Sequence, residues 1–218
     1  MNRYAVLAPG FEHLSYPLGK RDASENKNFS ERKQEFIVRR VESKTHAEMI
    51  VGSSDWLSNH AALPVGYVGD DKGEVFVVCS TSGKKYGPED MSDQERRDYS
   101  CAVIARLAAL HSEGFGCGGL SPEAIDYSRK QARLSDPSKI FALIDSDSLF
   151  FEAVATLRSL AGSGYAKKSE LCYLASVYLS ASPVCRQGVV SHLKRKGMRH
   201  TKPHLALSDV SARFVDYF

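Results

Sequence analysis

The stretch with the most chemical content is Leu110-His111-Ser112-Glu113-Gly114-Phe115-Gly116-Cys117-Gly118-Gly119-Leu120-Ser121-Pro122-Glu123-Ala124-Ile125. An amphipathic pattern runs into a loop crowded with glycine, the arrangement that brings backbone and a few short side chains close to a reactant. Most of its central side chains can do little. Gly119 and Ala124 carry no side-chain oxygen, Cys117 is a lone thiol, and Glu123 and the following Asp126 read as exposed loop carboxylates. The five cysteines, Cys79, Cys101, Cys117, Cys172 and Cys185, are odd in number and lack paired short spacings. They argue against a disulfide framework and against a zinc site. Asp136 lies in Ser135-Asp136-Pro137-Ser138, which on its own is a common turn, and Asp145 lies in Leu143-Ile144-Asp145-Ser146.

A second chemical feature is charge. The formal net charge of +3 identifies no partner, but no Asp or Glu occurs between Leu171 and Ser208. That stretch holds Arg186, Lys194, Arg195, Lys196, Arg199 and Lys202. Cations near a helix end complement the helix dipole, so a solvated basic face comes first, with an RNA- or phosphate-binding module as an alternative.

The elements that must position these residues follow from pattern. Tyr4–Leu7 and Phe36-Ile37-Val38 read as strands, the latter running into Arg39 and Arg40, and Arg21–Arg32 as a polar loop. Thr45–His60 predicts a helix weakened at Gly52-Ser53-Ser54. Val65–Val68 and Val75–Val78 flank the turn-forming Asp70-Asp71-Lys72-Gly73. Ser80–Pro88 reads as a linker. Ser92 and Glu95 form a capping-box pattern ahead of Tyr99, Val103, Leu107 and Leu110, with Gly114 as the stop. Ile125–Ser135 reads as a small hairpin, and Ser148–Ala161, Lys168–Leu179 and Val184–Lys196 as helices. The predicted class is α+β, with a small antiparallel sheet lobe with one helix over 1–82 and a helical lobe over 83–218. No apolar run reaches the roughly 20 residues of a membrane span, and the N-terminal run is too short for a signal peptide, so a cytoplasmic protein is expected.

Leu110–Ile125, with the helix before it, resembles the "LHSxG…HGDLxPxNI" catalytic loop of protein-kinase-like enzymes. The chain length and the helices after the loop resemble the compact members: lipopolysaccharide core-sugar kinases, RIO kinases and the small kinase of the KEOPS tRNA-modification complex. In that family a loop carboxylate orients the attacking hydroxyl, an amide five residues on holds a metal, and a later aspartate holds the metals on the phosphates. The resemblance places Cys117 at the usual His or Arg, Gly119 at the base and Ala124 at the amide, so the spacing survives without the chemistry. It implies Asp136, in a "LSDFS"-like context, or Asp145 as the metal-site homologue. The phosphate lysine is replaced by Arg39 or Arg40, with Glu48 as its candidate helical partner, and Ala8-Pro9-Gly10-Phe11 has one glycine where a phosphate lid belongs. The implied function is a pseudokinase, a binding or regulatory module whose partner is another protein, with ATP and magnesium bound weakly or not at all. The alternatives are an active atypical kinase, on a lipopolysaccharide sugar or protein acceptor, using relocated Glu123, Asp126 or Asp145, and an RNA-binding module on the basic segment.

Overall fold

The computed structural model describes residues 3–7, 35–70, 72–81, 86–128, 130–142, 145–196 and 207–216. Contacts divide the chain into two units, Met1–Gly83 with Leu134–Ser138, and Lys84–Arg133 with Lys139–Phe218. Both strands and helices are well represented, an α+β chain.

The first unit is built on an antiparallel sheet in the order β1-β3-β4-β2, from β1 (Arg3–Leu7), β2 (Glu35–Val41), β3 (Leu63–Asp70) and β4 (Val75–Thr81). β4 is central and alternates little: Val75, Val77, Val78 and Cys79 are all buried. Helix α1 (Lys44–Gly52) starts at Ser43, whose hydroxyl accepts the His46 N–H at 3.1 Å. The weakness expected at Gly52–Ser54 is a real break: Ser53 ends α1 and begins α2 (Ser54–His60), so one expected helix is two. Ala47, Ile50 and Val51 turn α1 onto the sheet. The linker expected from Ser80 starts later, because Ser80 still pairs with Phe36 and Leu63, and Thr81 with Glu35. The expected polar loop at Arg21–Arg32 and the single-glycine turn at Ala8–Phe11 lie outside the described residues.

The second unit is helical: α3 (Asp93–Ser112), α4 (Ser146–Gly162), α5 (Leu171–Ala181), α6 (Pro183–Arg195) and α7 (Leu207–Val215). The capping box at α3 is formed, Ser92 Oγ accepting the Glu95 N–H at 3.3 Å and Glu95 Oε2 accepting the Ser92 N–H at 2.8 Å. Tyr99, Val103, Ile104, Leu107 and Leu110 bury one face of α3, which packs against α4, α5 and α6. Gly188 lets α6 close on α4; a Cβ there would meet Leu149 Cδ2 at 3.1 Å. Helix α7 packs on α5, with Phe214 fully buried near Phe150 and Tyr178. Between α3 and α4 run β5 (Phe115–Gly116), the hairpin β6 (Ile125–Ser128) and β7 (Gln131–Leu134), and β8 (Phe141–Ala142), which pairs with β5. Among the described residues no helix is long and apolar enough to cross a membrane.

Candidate functional site

The glycine-rich loop is suspended from α4. Glu152 and Thr156 lie one turn apart on that helix, on the face that also buries Leu149 and Leu160. Glu152 Oε2 accepts the Cys117 N–H at 2.8 Å, and Thr156 Oγ1 accepts the Leu120 N–H at 2.7 Å. Between these two anchors Gly118 (φ 73°) and Gly119 (φ 87°) occupy the left-handed region. Gly119 is also pressed against α4: a Cβ built there would stand 3.0 Å from Ala155 Cβ and 3.4 Å from the Glu152 carbonyl oxygen. Glycine at 119 therefore serves both conformation and clearance.

The second anchor of Glu152 comes from α3. His111, fully enclosed, sets Nε2 3.3 Å from Glu152 Oε2 and Nδ1 2.6 Å from the Tyr178 hydroxyl on α5. One tautomer serves both bonds, with Nε2–H donating to the carboxylate and Nδ1 accepting from the tyrosine. Burial alone would raise the Glu152 carboxyl, but the donors His111, Cys117 N–H and Gly118 N–H outweigh it and hold the carboxyl below its ordinary value of 4.5. Burial, with the Tyr178 partner Cys185 adding to it, pushes the tyrosine hydroxyl well above its usual value, so it stays a donor. The result is a buried polar chain from α5 through α3 and α4 to the loop backbone.

That chain positions the loop but gives it no reactive group. Cys117 is buried, and burial followed by the Glu152 charge pushes its thiol up to about 12, which leaves no useful thiolate at neutral pH. Ala124 ends a 3₁₀ turn, Pro122–Ala124, and Glu123 within it is exposed. Asp126 is a buried carboxylate at the start of β6.

The other predicted residues have settled partners. In the first unit Arg39 and Arg40 are neighbours on β2, so the pleat sends them to opposite faces. Arg39 Nε lies 3.5 Å from Asp136 Oδ2, and Arg40 pairs with Glu74 at 3.3 Å. Asp136 Oδ1 meanwhile accepts from the Ser138 N–H at 3.1 Å and hydroxyl at 2.6 Å, an Asx turn. Glu48 faces Lys44 at 3.7 Å and accepts the Tyr67 hydroxyl at 3.2 Å. Arg39 and Asp136 are brought together; the partners of Arg40 and Glu48 described here are other residues. In the second unit Asp145 caps α4, its carboxylate accepting the Ser148 N–H at 2.7 Å, and that bond, with one from the Ser148 hydroxyl, lowers its carboxyl. Of the basic set, Arg186, Lys194, Arg195 and Lys196 are exposed, but Arg195 is engaged by Asp147 and by Ser146 Oγ at 2.9 Å. Arg199 lies outside the described residues. Among the described residues no three His, Cys, Asp or Glu side chains gather to hold a metal ion.

Sequence reasoning passed over His111, Glu152, Thr156 and Tyr178. The available signal was Glu152 and Thr156 interrupting an otherwise apolar stripe, since a carboxylate on a buried helix face requires donors from elsewhere.

No family model matches this chain, and no curated protein matches it. A solved structure described as a divergent kinase lacking the glycine-rich loop, which regulates membrane ultrastructure of the Toxoplasma parasitophorous vacuole, is similar over 96% of this chain and 82% of its own. The identity is 11% and the TM-score 0.48, a likeness too remote to assign fold, activity or partner. What fold and site define is an α+β chain with a glycine loop held by a buried carboxylate.

Proposed function

We propose that this chain is a kinase-fold pseudokinase, a binding or regulatory module with weak or absent phosphoryl transfer. Gly119 carries the reading. At the position where the family resemblance expects a base, a left-handed glycine lies 3.0 Å, measured from its virtual Cβ, from Ala155. The position supplies no carboxylate, and it does not admit one unless the loop or α4 shifts. The order of elements supports the kinase-like part: a strand carrying Arg39-Arg40 near its end, a helix bearing Glu48, a hairpin, then α3 leading into the loop and a second hairpin ending before Asp136.

ATP and magnesium fit the residues poorly. Both oxygens of Asp136 are committed, one to Ser138 and one to Arg39, and Asp145 is spent on its helix cap. A hard cation needs several oxygen ligands, and both oxygens of Asp136 and one of Asp145 already have donors. The proposed module binds nucleotide weakly or not at all and recognises a partner protein.

Buried Asp126, two residues beyond Ala124, favours one second reading, an active atypical kinase with a relocated carboxylate. The test is γ-phosphate transfer to protein and sugar acceptors, alongside nucleotide-dependent thermal shift with and without magnesium. Pseudokinase behaviour gives background transfer and no magnesium-dependent shift. Robust transfer that is lost in Asp126→Asn or Asp136→Ala overturns it.

A further inference from the structure

Tyrosines gather at the start of α3, within the helical unit. Tyr99, buried on α3, stacks on Tyr165 with ring centroids 4.6 Å apart and planes at 27°, and meets Tyr127 edge-on at 5.1 Å. The Tyr165 hydroxyl donates to the Tyr86 carbonyl, which pins that backbone while Tyr86 as a residue stays 39% exposed. Two hollows share Tyr86. One, of about 250 Å³, is lined by Tyr86, Tyr99, Pro122, Glu123, Ile125 and Tyr165. The other, of about 230 Å³, includes Tyr86, Asp90, Glu95, Asp98, Tyr127 and Lys130.

Among the described residues that line them, both hollows carry more negative than positive charge. Among the described residues lining the first, Glu123 is charged and none is lysine or arginine. The second sets Asp90, Glu95 and Asp98 against Lys130, whose ammonium already rests 3.3 Å from Asp98. Burial raises the hydroxyls of Tyr99, Tyr127 and Tyr165, and the carboxylates of Glu123, Asp98 and Glu89 respectively add to it, as a negative field over the rings would. An anionic ligand would meet carboxylates here. Each hollow is also smaller than the roughly 300–1,000 Å³ of small-molecule sites, and suits one long side chain.

We infer that this tyrosine-walled acidic surface binds a basic peptide segment of a partner protein, an arginine or lysine side chain entering each hollow. Aromatic faces attract guanidinium and ammonium groups, the carboxylates supply the counter-charge, and the anchored Tyr86 backbone holds the shared wall without cost on binding. The inference gives a partner class to the binding-module reading, yet it rests on this surface alone and survives if the nucleotide assays go the other way.

The experiment is fluorescence polarisation with a short labelled peptide of alternating arginine and glycine, beside its lysine and citrulline counterparts. Variants are Tyr86→Ala, which keeps the carbonyl used by Tyr165, and Glu123→Gln, each verified as folded by circular dichroism and thermal melting. The arginine and lysine peptides should bind, the citrulline peptide should not, and each variant should weaken binding roughly 3- to 30-fold. Affinity should also fall with salt. No binding of either cationic peptide, equal binding of citrulline, or full affinity in both folded variants overturns the inference.

Discussion

Replacing Glu152 by alanine removes the acceptor of the Cys117 and Gly118 N–H groups, of His111 Nε2–H and of the weak Cys117 thiol donor at 3.7 Å. Glu152 is 6% exposed and His111 1%, so water does not readily take its place. An unsatisfied buried donor costs about 1–3 kcal/mol, and the two loop N–H groups and the His111 Nε2–H would each become one. Partial relaxation of the loop puts Glu152→Ala at about 3–5 kcal/mol of lost stability. Glu152→Gln keeps shape and one oxygen but loses the charge on its hydrogen bonds, a loss of about 1.5–3 kcal/mol. The assay is urea unfolding of wild type and both variants over a pH series. The folded Glu152 carboxyl is held below its ordinary value of 4.5, so its contribution is complete above that value and fades as pH falls through the lower folded value. The gap between wild type and Glu152→Gln should therefore be full at neutral pH and shrink in acid. An alanine variant as stable as wild type, or a glutamine gap that does not change with pH, would refute the buried-carboxylate account.

Three further outcomes are expected. Gly119→Asp forces a side chain into a left-handed position against Ala155 and should cost about 2–4 kcal/mol by thermal melting, without raising phosphoryl transfer. Phe214→Ala empties the fully buried seat of α7 and should cost about 3–5 kcal/mol in denaturant unfolding. With buried thiols pushed up to about 12, Cys79 and Cys117 should resist iodoacetamide at neutral pH while exposed Cys172 is alkylated, as read by mass spectrometry of the folded protein.

Local chemistry alone settled much of this chain. Ser92 and Glu95 specify the start of α3 and Gly114 with its φ of 83° its stop, while the weak run at Gly52–Ser54 marked the place, though not the fact, of the division between α1 and α2. Each end of α3 is an interaction within a turn or two, so neighbouring residues suffice to declare it. The absence of side-chain oxygen at Gly119 and Ala124 is likewise a property of residue type. Three-dimensional packing decided the rest. The Glu152 carboxylate is 35 residues from the Cys117 amide and 41 from His111, and no periodicity along α4 says which donors will arrive. Arg39 and Arg40 are equivalent in sequence, and only the pleat, with Asp136 and Glu74 on their respective sides, tells them apart. Asp145 carries the same carboxyl whether it binds a cation or caps a helix; the backbone turning into α4 behind it makes it a cap. Burial of a polar group is stabilising only when its partners converge from separate elements, and that convergence exists in the folded chain alone.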